Sequence, residues 1–302
     1  MKKLTHYLSL IKFSHTIFAM PFALTGFCMG VAATSSGNSD TPGWEIFTSY
    51  LTSHYPIFFY VILCMVFARS AAMAFNRYLD REFDARNPRT AIREIPRGII
   101  SPASALRFTI FNALLFMLAS GLINTTCLLL SPIALLVILG YSYTKRFTPL
   151  CHIVLGIGLA LAPVGAFIAV TKSVGPAILF LSVAVVCWVS GFDIIYALQD
   201  EQFDQSQDLR SIPAALGATN ALRTSQILHL LTAISILLAG YAFGFQWLYF
   251  AGAFFFIVLL IAQHRLVKPG DLSKVNIAFM TTNGIASILF SITAILDMLI
   301  LQ

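Results

Sequence analysis

The sequence predicts an all-α integral membrane protein of nine transmembrane helices, arranged as two four-helix pseudo-repeats with one helix appended. Three observations predict it. The 302 residues are 58% hydrophobic and only 11% charged, unlike a water-soluble domain, which is about one-quarter charged. Apolar stretches of roughly 18 residues or more, each able to cross a bilayer, recur along the whole length. Two short acidic segments resemble each other: NRYLDREFD and YALQDEQFD align Asp80, Phe83 and Asp84 with Asp200, Phe203 and Asp204.

The first predicted span, Phe13–Thr34, follows a short basic stretch that imitates a secretory signal. The run is long and no small-residue cleavage site follows it, so it reads as a helix that stays. The polar segment SSGNSDTPG around Asn38 reads as an external loop. The second span, Pro56–Tyr78, runs into the first acidic segment. Ala103–Ile123, Thr126–Tyr143 and Pro149–Val170 follow, then Gly175–Ala197, which runs into the second acidic segment. Asn220–Phe243, Gln246–Gln263 and Val275–Leu299 complete the nine. Pro21, Pro132 and Pro163 do not weaken these assignments, because helices in lipid tolerate proline. Residues 1–302 form a single membrane domain with no soluble module.

Basic residues mark cytoplasmic loops. With the amino terminus inside, Lys2, Lys3, Lys12, the six arginines from Arg77 to Arg97, Arg107, Lys145, Arg146, Arg210, Arg223, Arg265, Lys268 and Lys274 share one side. Lys172 alone lies outside, and Arg69 lies within a span. Both acidic segments are then cytoplasmic, as expected for the inner membrane of a bacterium. The net charge of +6 reflects this asymmetry and a match to anionic lipid headgroups, not nucleic-acid binding. No obligate protein partner is evident.

Cysteine and histidine narrow the chemistry by their scatter. Cys28, Cys64, Cys127, Cys151 and Cys187 stand singly in apolar runs with no CxxC pair, which reads as core packing. His6, His15, His54, His152, His229 and His264 are equally dispersed; His15 is the least improbable ligand among them.

Nine of the thirteen acidic residues lie in the segments Asn76–Glu94 and Asp193–Asp208. Carboxylates are costly near a membrane and are usually functional there. Residues four and seven apart lie near one helical face, so Asn76, Asp80 and Asp84 form one stripe. Asp193, Asp200 and Asp204 form another, with Tyr196 at its edge. Arg69, seven residues before Asn76, lies on the first stripe, deeper in the bilayer. An isolated Asp near a helix end is ordinarily just a solvated charge. Two copies of D-x-x-F-D, each preceded by polar residues on its own stripe, exceed that. Facing carboxylates without His or Cys favour a hard cation such as magnesium, held jointly with phosphate and water. The adjacent arginines suit phosphate oxygens.

Asn76, Asp80 and Asp84 fit N-x-x-x-D-x-x-x-D, and Asp193, Tyr196, Asp200 and Asp204 fit D-x-x-Y-x-x-x-D-x-x-x-D. By these signatures the chain resembles the UbiA superfamily of intramembrane aromatic prenyltransferases. The resemblance covers essentially the whole chain, including the RT-x-x-R run at Arg89–Arg93 and the YTKRFT segment at Tyr143–Thr148. It implies that Asn76, Asp80, Asp84, Asp200 and Asp204 bind Mg2+ and the diphosphate of a polyprenyl donor. Asp193 and Tyr196 would place the second motif and contact substrate. Arg69, Arg89, Arg93, Lys145 and Arg146 are candidates for substrate binding.

The expected reaction is magnesium-dependent transfer of a polyprenyl group from its diphosphate to the ring of an aromatic acid, in respiratory quinone biosynthesis. The pattern GFD-x-x-YA-x-QD is similar to the 4-hydroxybenzoate polyprenyltransferases of ubiquinone synthesis. The segments FSHTIFAMPFA and MAFNRYLD, and Arg93-Glu94-Ile95-Pro96 where those enzymes usually have Arg-Pro-Leu-Pro, look more like the enzymes of the futalosine route to menaquinone. Those act on 1,4-dihydroxy-6-naphthoate. A secondary transporter is the alternative class, but transport sites favour the bilayer midplane, whereas these acids lie at helix ends. A purely structural protein would leave the paired stripes unexplained.

Overall fold

The computed structural model describes residues 2–11, 19–34 and 41–301. Lys12, His15, the start of the first predicted span and the segment around Asn38 lie outside them. The described chain is helical almost throughout. Its elements are α1 (Lys2–Leu10), α2 (Met20–Thr34), α3 (Gly43–Leu79), α4 (Arg81–Arg86), α5 (Pro102–Ile123) and α6 (Thr125–Thr144). There follow α7 (Cys151–Thr171), α8 (Pro176–Ala197), α9 (Glu201–Ser206), α10 (Ile212–Phe243), α11 (Trp247–Leu266) and α12 (Asn283–Ile300). No strand occurs among the described residues beyond one isolated bridge between Lys268 and Asp271.

Eight described helices are long and apolar enough to cross a bilayer, with Met20–Thr34 as a shorter apolar helix beside them. Their outward faces carry Phe111 and Leu114 on α5, Leu136 on α6, Leu230 on α10, and Phe254 and Phe255 on α11, all exposed. Such a surface would be an aggregation hazard in water and matches acyl chains in lipid. The protein is therefore integral to a membrane.

The spanning helices pack as a ring in chain order, α3 on α5, α5 on α6, α6 on α7, α7 on α8, α8 on α10, α10 on α11 and α11 on α12, while α2 fits between α7, α12 and α3. The close approach of α2 to α7 depends on Gly26: a Cβ there would stand 2.3 Å from the Pro163 carbonyl oxygen. Small residues at crossings are how helices approach in lipid. The main core runs from α8 outward, where Trp188 is fully buried among Phe22, Phe192 and Phe256.

Three local features depart from the sequence reading. The loop expected before Pro56 is largely helix: α3 begins at Gly43 and bends at His54 (φ −131°, ψ 26°), two residues before Pro56, whose ring cannot be accommodated in a straight helix. α10 starts at Ile212, ahead of the expected Asn220, because the turn of Gly217 at φ 73° joins a short leading segment to the span; glycine takes that conformation without a Cβ penalty. The last span opens with a π-helical turn, Ile277–Thr282. There Gln263 and Asn283 side chains donate to the Ala278 carbonyl, and Asn283 also to Phe279, supplying donors where the α-helical ladder is interrupted.

Candidate active site

The two acidic segments share one local construction. α3 stops at Asp80 (φ −89°, ψ 7°) and the six-residue α4 follows. α8 gives way to a 3-10 turn, Leu198–Asp200, then Asp200 (φ −108°, ψ 5°) precedes the six-residue α9. Both aspartates occupy the sparsely allowed bridge region. The carbonyls freed at the end of α3 are taken by arginines: Arg81 donates to Tyr78 O at 2.8 Å and Arg146 to Leu79 O at 2.9 Å. The expected stripes along continuous helices are thus corrected. Each helix breaks at the middle aspartate, and the break turns Asp84 and Asp204 inward, where their side chains are 8% and 0% exposed.

Buried carboxylates are tenable only when paired, and all four have cationic partners. Arg93 donates to Asp84 Oδ1 at 2.5 Å, with Arg77 Nη1 3.9 Å from Oδ2. Arg89 grips Asp200 with two nitrogens, Nε to Oδ1 at 3.0 Å and Nη2 to Oδ2, while Asn87 donates to Oδ1 at 3.0 Å. Lys145 Nζ lies 2.7 Å from Asp204 Oδ1. Arg146 lies 3.4 Å from Asp80 Oδ1, and Asn76 donates to Asp80 Oδ2 at 3.1 Å. Arg77 is a member of this set that the motifs did not single out, although its position in the first acidic segment could have.

These pairs join the two halves of the chain. Arg89, just past α4, reaches Asp200 and also donates to the Tyr196 hydroxyl at 3.1 Å. Arg210 N donates to Lys145 O, and Arg86 to Gln207. Lys145 opposes burial with the fields of Asp204, Asp200 and Asp80, which together hold its ammonium above its usual range. Burial, and next the neighbouring Asp84, push Asp80 up to about 6, against the pull of Lys145, Arg146 and Arg93.

The remaining site candidates lie deeper. Arg69 on α3 has an Nε without a hydrogen-bond acceptor. Tyr141 on α6 lies within electrostatic reach of Arg69, Asp80 and Asp193. Asp193 accepts from His152 Nδ1 at 2.7 Å across the α7–α8 contact. In the sequence His152 is one of six dispersed histidines; the pair is 41 positions apart in the chain and no local spacing announces it. His229, buried, and His264, half-buried, form a second pair across α10 and α11, 2.8 Å apart. The five cysteines are free thiols.

Whether these residues suit a divalent ion can be read from unsatisfied oxygens. Asp84 Oδ2, with Arg77 no nearer than 3.9 Å, is buried without a hydrogen-bond donor, and carboxylate oxygen is the donor type that magnesium takes. Among the described residues no three His, Cys, Asp or Glu side chains converge closely enough to cage an ion unaided. That also fits magnesium, which usually completes its shell with water and substrate phosphate.

A lipid-facing helical ring carrying a bipartite, arginine-matched carboxylate site at one end defines a polytopic membrane protein built to handle an anion. Residues 19–285 match the UbiA prenyltransferase family, and the chain belongs to that family; it is an aromatic prenyltransferase. Among curated relatives it is 30% identical over 223 residues to the 4-hydroxybenzoate octaprenyltransferase of Citrobacter koseri, covering 74% of this chain and 76% of that one. It is 28% identical over 255 residues to the enzyme of the same name from Saccharophagus degradans, covering 82% and 79%. The UbiA homolog of Aeropyrum pernix superposes with a TM-score of 0.80 at 29% identity, covering 94% of this chain and 98% of that one. The Archaeoglobus fulgidus homolog bound to GPP and Mg2+ shares the fold, with a TM-score of 0.67 at 21% identity over 96% and 98%. Family membership displaces the transporter reading.

Proposed function

We propose that the protein transfers a polyprenyl group from polyprenyl diphosphate to the ring of an aromatic acid, with Mg2+, in respiratory quinone biosynthesis. The carrying observation is the set of buried aspartates from both halves, matched by basic residues that bridge those halves. Asn76, Asp80, Asp84, Asp200 and Asp204 would hold magnesium, which supplies positive charge to the departing diphosphate. Arg89, Arg93, Lys145 and Arg146 exchange their carboxylate partners for phosphate oxygens, so each charge stays satisfied in both states. Tyr196 steadies Arg89. The lipid-facing helices accept the isoprenoid tail and keep water from the allylic cation.

Arg69, half-buried and with no carboxylate partner among the described residues, receives the carboxylate of the acceptor. The name borne by the Citrobacter and Saccharophagus relatives supports 4-hydroxybenzoate as that acceptor; 1,4-dihydroxy-6-naphthoate offers the same carboxylate and an electron-rich ring. The homolog with GPP and Mg2+ supports the donor and the ion. Residues 1–302 act as one domain in the inner membrane of a bacterium, with the amino terminus and the acidic end in the cytoplasm and the carboxyl terminus outside. The test offers both acceptors with one labelled donor, with Mg2+ or with chelator, and identifies products by mass. A prenylated aromatic acid only with Mg2+ is expected; full transfer in chelator would remove the metal role, and no transfer to either acid would refute the substrate class.

A further inference from the structure

We infer that His152, which lies outside both acidic motifs, is a positioning residue that presents Asp193 to the hydroxyl of the aromatic acceptor. The inference rests on the aromatic-acid reading above. Its starting point is a tautomer fixed by geometry. The backbone N–H of Ile212, at the first position of α10, points at His152 Nε2 with a separation of 3.3 Å. A backbone amide can only donate, so Nε2 carries a lone pair and the ring proton sits on Nδ1. That Nδ1–H faces Asp193 Oδ2 at 2.7 Å, so the aspartate accepts. The His152 ring is itself clamped, because its side chain is 4% exposed and Ser190 on α8 donates to its backbone carbonyl at 3.0 Å.

One oxygen of Asp193 is thereby occupied and the other is spare. The Asp193 side chain is 24% exposed, although Phe192, Ile194 and Ile195 beside it are 3% exposed or less. Tyr141 on α6 lies within electrostatic reach of both Asp193 and Arg69. Asp193 precedes Asp200 by seven residues and Arg69 precedes the equivalent Asp80 by eleven, so they lie roughly 10 Å and 16 Å below the acidic end of their helices. A hydroxy acid has a carboxylate for Arg69 and a hydroxyl for the spare Asp193 oxygen. As the ring attacks the allylic cation and gains positive charge, its hydroxyl becomes a stronger donor, so the bond to Asp193 tightens toward the transition state. His152 contributes by fixing the orientation of the carboxylate.

The test measures kcat and both KM values in wild type, His152→Leu, His152→Gln, Asp193→Asn and the double variant His152→Leu/Asp193→Asn, with 4-hydroxybenzoate and the dihydroxynaphthoate as acceptors. Leucine removes both bonds; glutamine can accept from Ile212 and donate to Asp193. His152→Leu is expected to lower kcat by between about 10- and 100-fold, the usual cost of removing a group that orients a functional side chain, with the donor KM unchanged. His152→Gln is expected to restore most of the rate. In the Asp193→Asn background the leucine change is expected to cost almost nothing more, because the two side chains act as a unit. A wild-type rate in folded His152→Leu, a loss multiplying fully with that of Asp193→Asn, or losses in both His152 variants that track lowered melting temperatures would each overturn the role. Wild type that fails to prenylate either acid would overturn the proposed function and this role together.

Discussion

Replacing Arg89 by methionine separates two things the same guanidinium does. Without substrate, Arg89 competes with any cation for Asp200, holding it by two nitrogens with Nε 3.0 Å from Oδ1. At 3.0 Å and an effective dielectric of about 20, the gross attraction is roughly 5–6 kcal/mol. Desolvation offsets most of it, and a hydrogen bond to a charged group nets about 1.5–3 kcal/mol. Arg89→Met, which keeps the packing volume against Tyr196, releases Asp200 to a metal ion. Metal affinity in the absence of diphosphate should therefore rise by between about 10- and 100-fold, at 1.4 kcal/mol per factor of ten. Donor binding should weaken in the same variant, since a phosphate partner has been lost. The assay titrates Mn2+ into detergent-purified protein, follows free Mn2+ by electron paramagnetic resonance, and measures the donor KM in parallel. Unchanged or weakened Mn2+ binding in Arg89→Met would refute the competition and make Arg89 a support for Asp200.

Asp80→Ala and Asp200→Ala should each abolish turnover while membrane insertion and melting stay near wild type; near-normal rates from either would remove that aspartate from the site. Because Asp80 titrates near pH 6 in the metal-free site, protons compete with the ion below that value. Mn2+ affinity should fall by up to about tenfold per pH unit beneath pH 6 and level off above it, and a flat titration from pH 5 to 8 would contradict this. Asp297 on α12 caps the start of α11, accepting from Gln246 N and Tyr249 N at 2.9 Å each. Asp297→Ala should cost about 1–3 kcal/mol of stability through unsatisfied buried amides, read as a lower melting temperature with an unchanged donor KM.

The spanning helices were legible because the bilayer demands long apolar runs, and the active end was legible because acids are too costly near lipid to scatter at random. What the sequence did not reveal has a common physical cause. The break at Asp80 is met by Arg81 and Arg146 taking carbonyls at the end of α3, and neither contact follows from a 3.6-residue period. The His152–Asp193 bond and the His229–His264 pair are tertiary meetings of residues 41 and 35 positions apart. A helix can be read from its own residues. A hydrogen bond between helices depends on the packing of both.

The charge balance explains why metal and diphosphate should arrive as partners. Asp80, Asp84, Asp200 and Asp204 carry four negative charges against five positive charges on Arg77, Arg89, Arg93, Lys145 and Arg146. A lone Mg2+ would add charge to a site already positive by one, and would have to displace a guanidinium or ammonium from each aspartate it ligates. A lone diphosphate would draw those same cations away and leave buried carboxylates bare, which is costly. Bound together, the phosphate oxygens take the arginines and the lysine while the ions take the aspartates, and no charge is orphaned. Each ligand must then raise the affinity of the other by the same factor. Arg89→Met, by relieving the metal of its competitor, should shrink that factor as well as shifting either affinity.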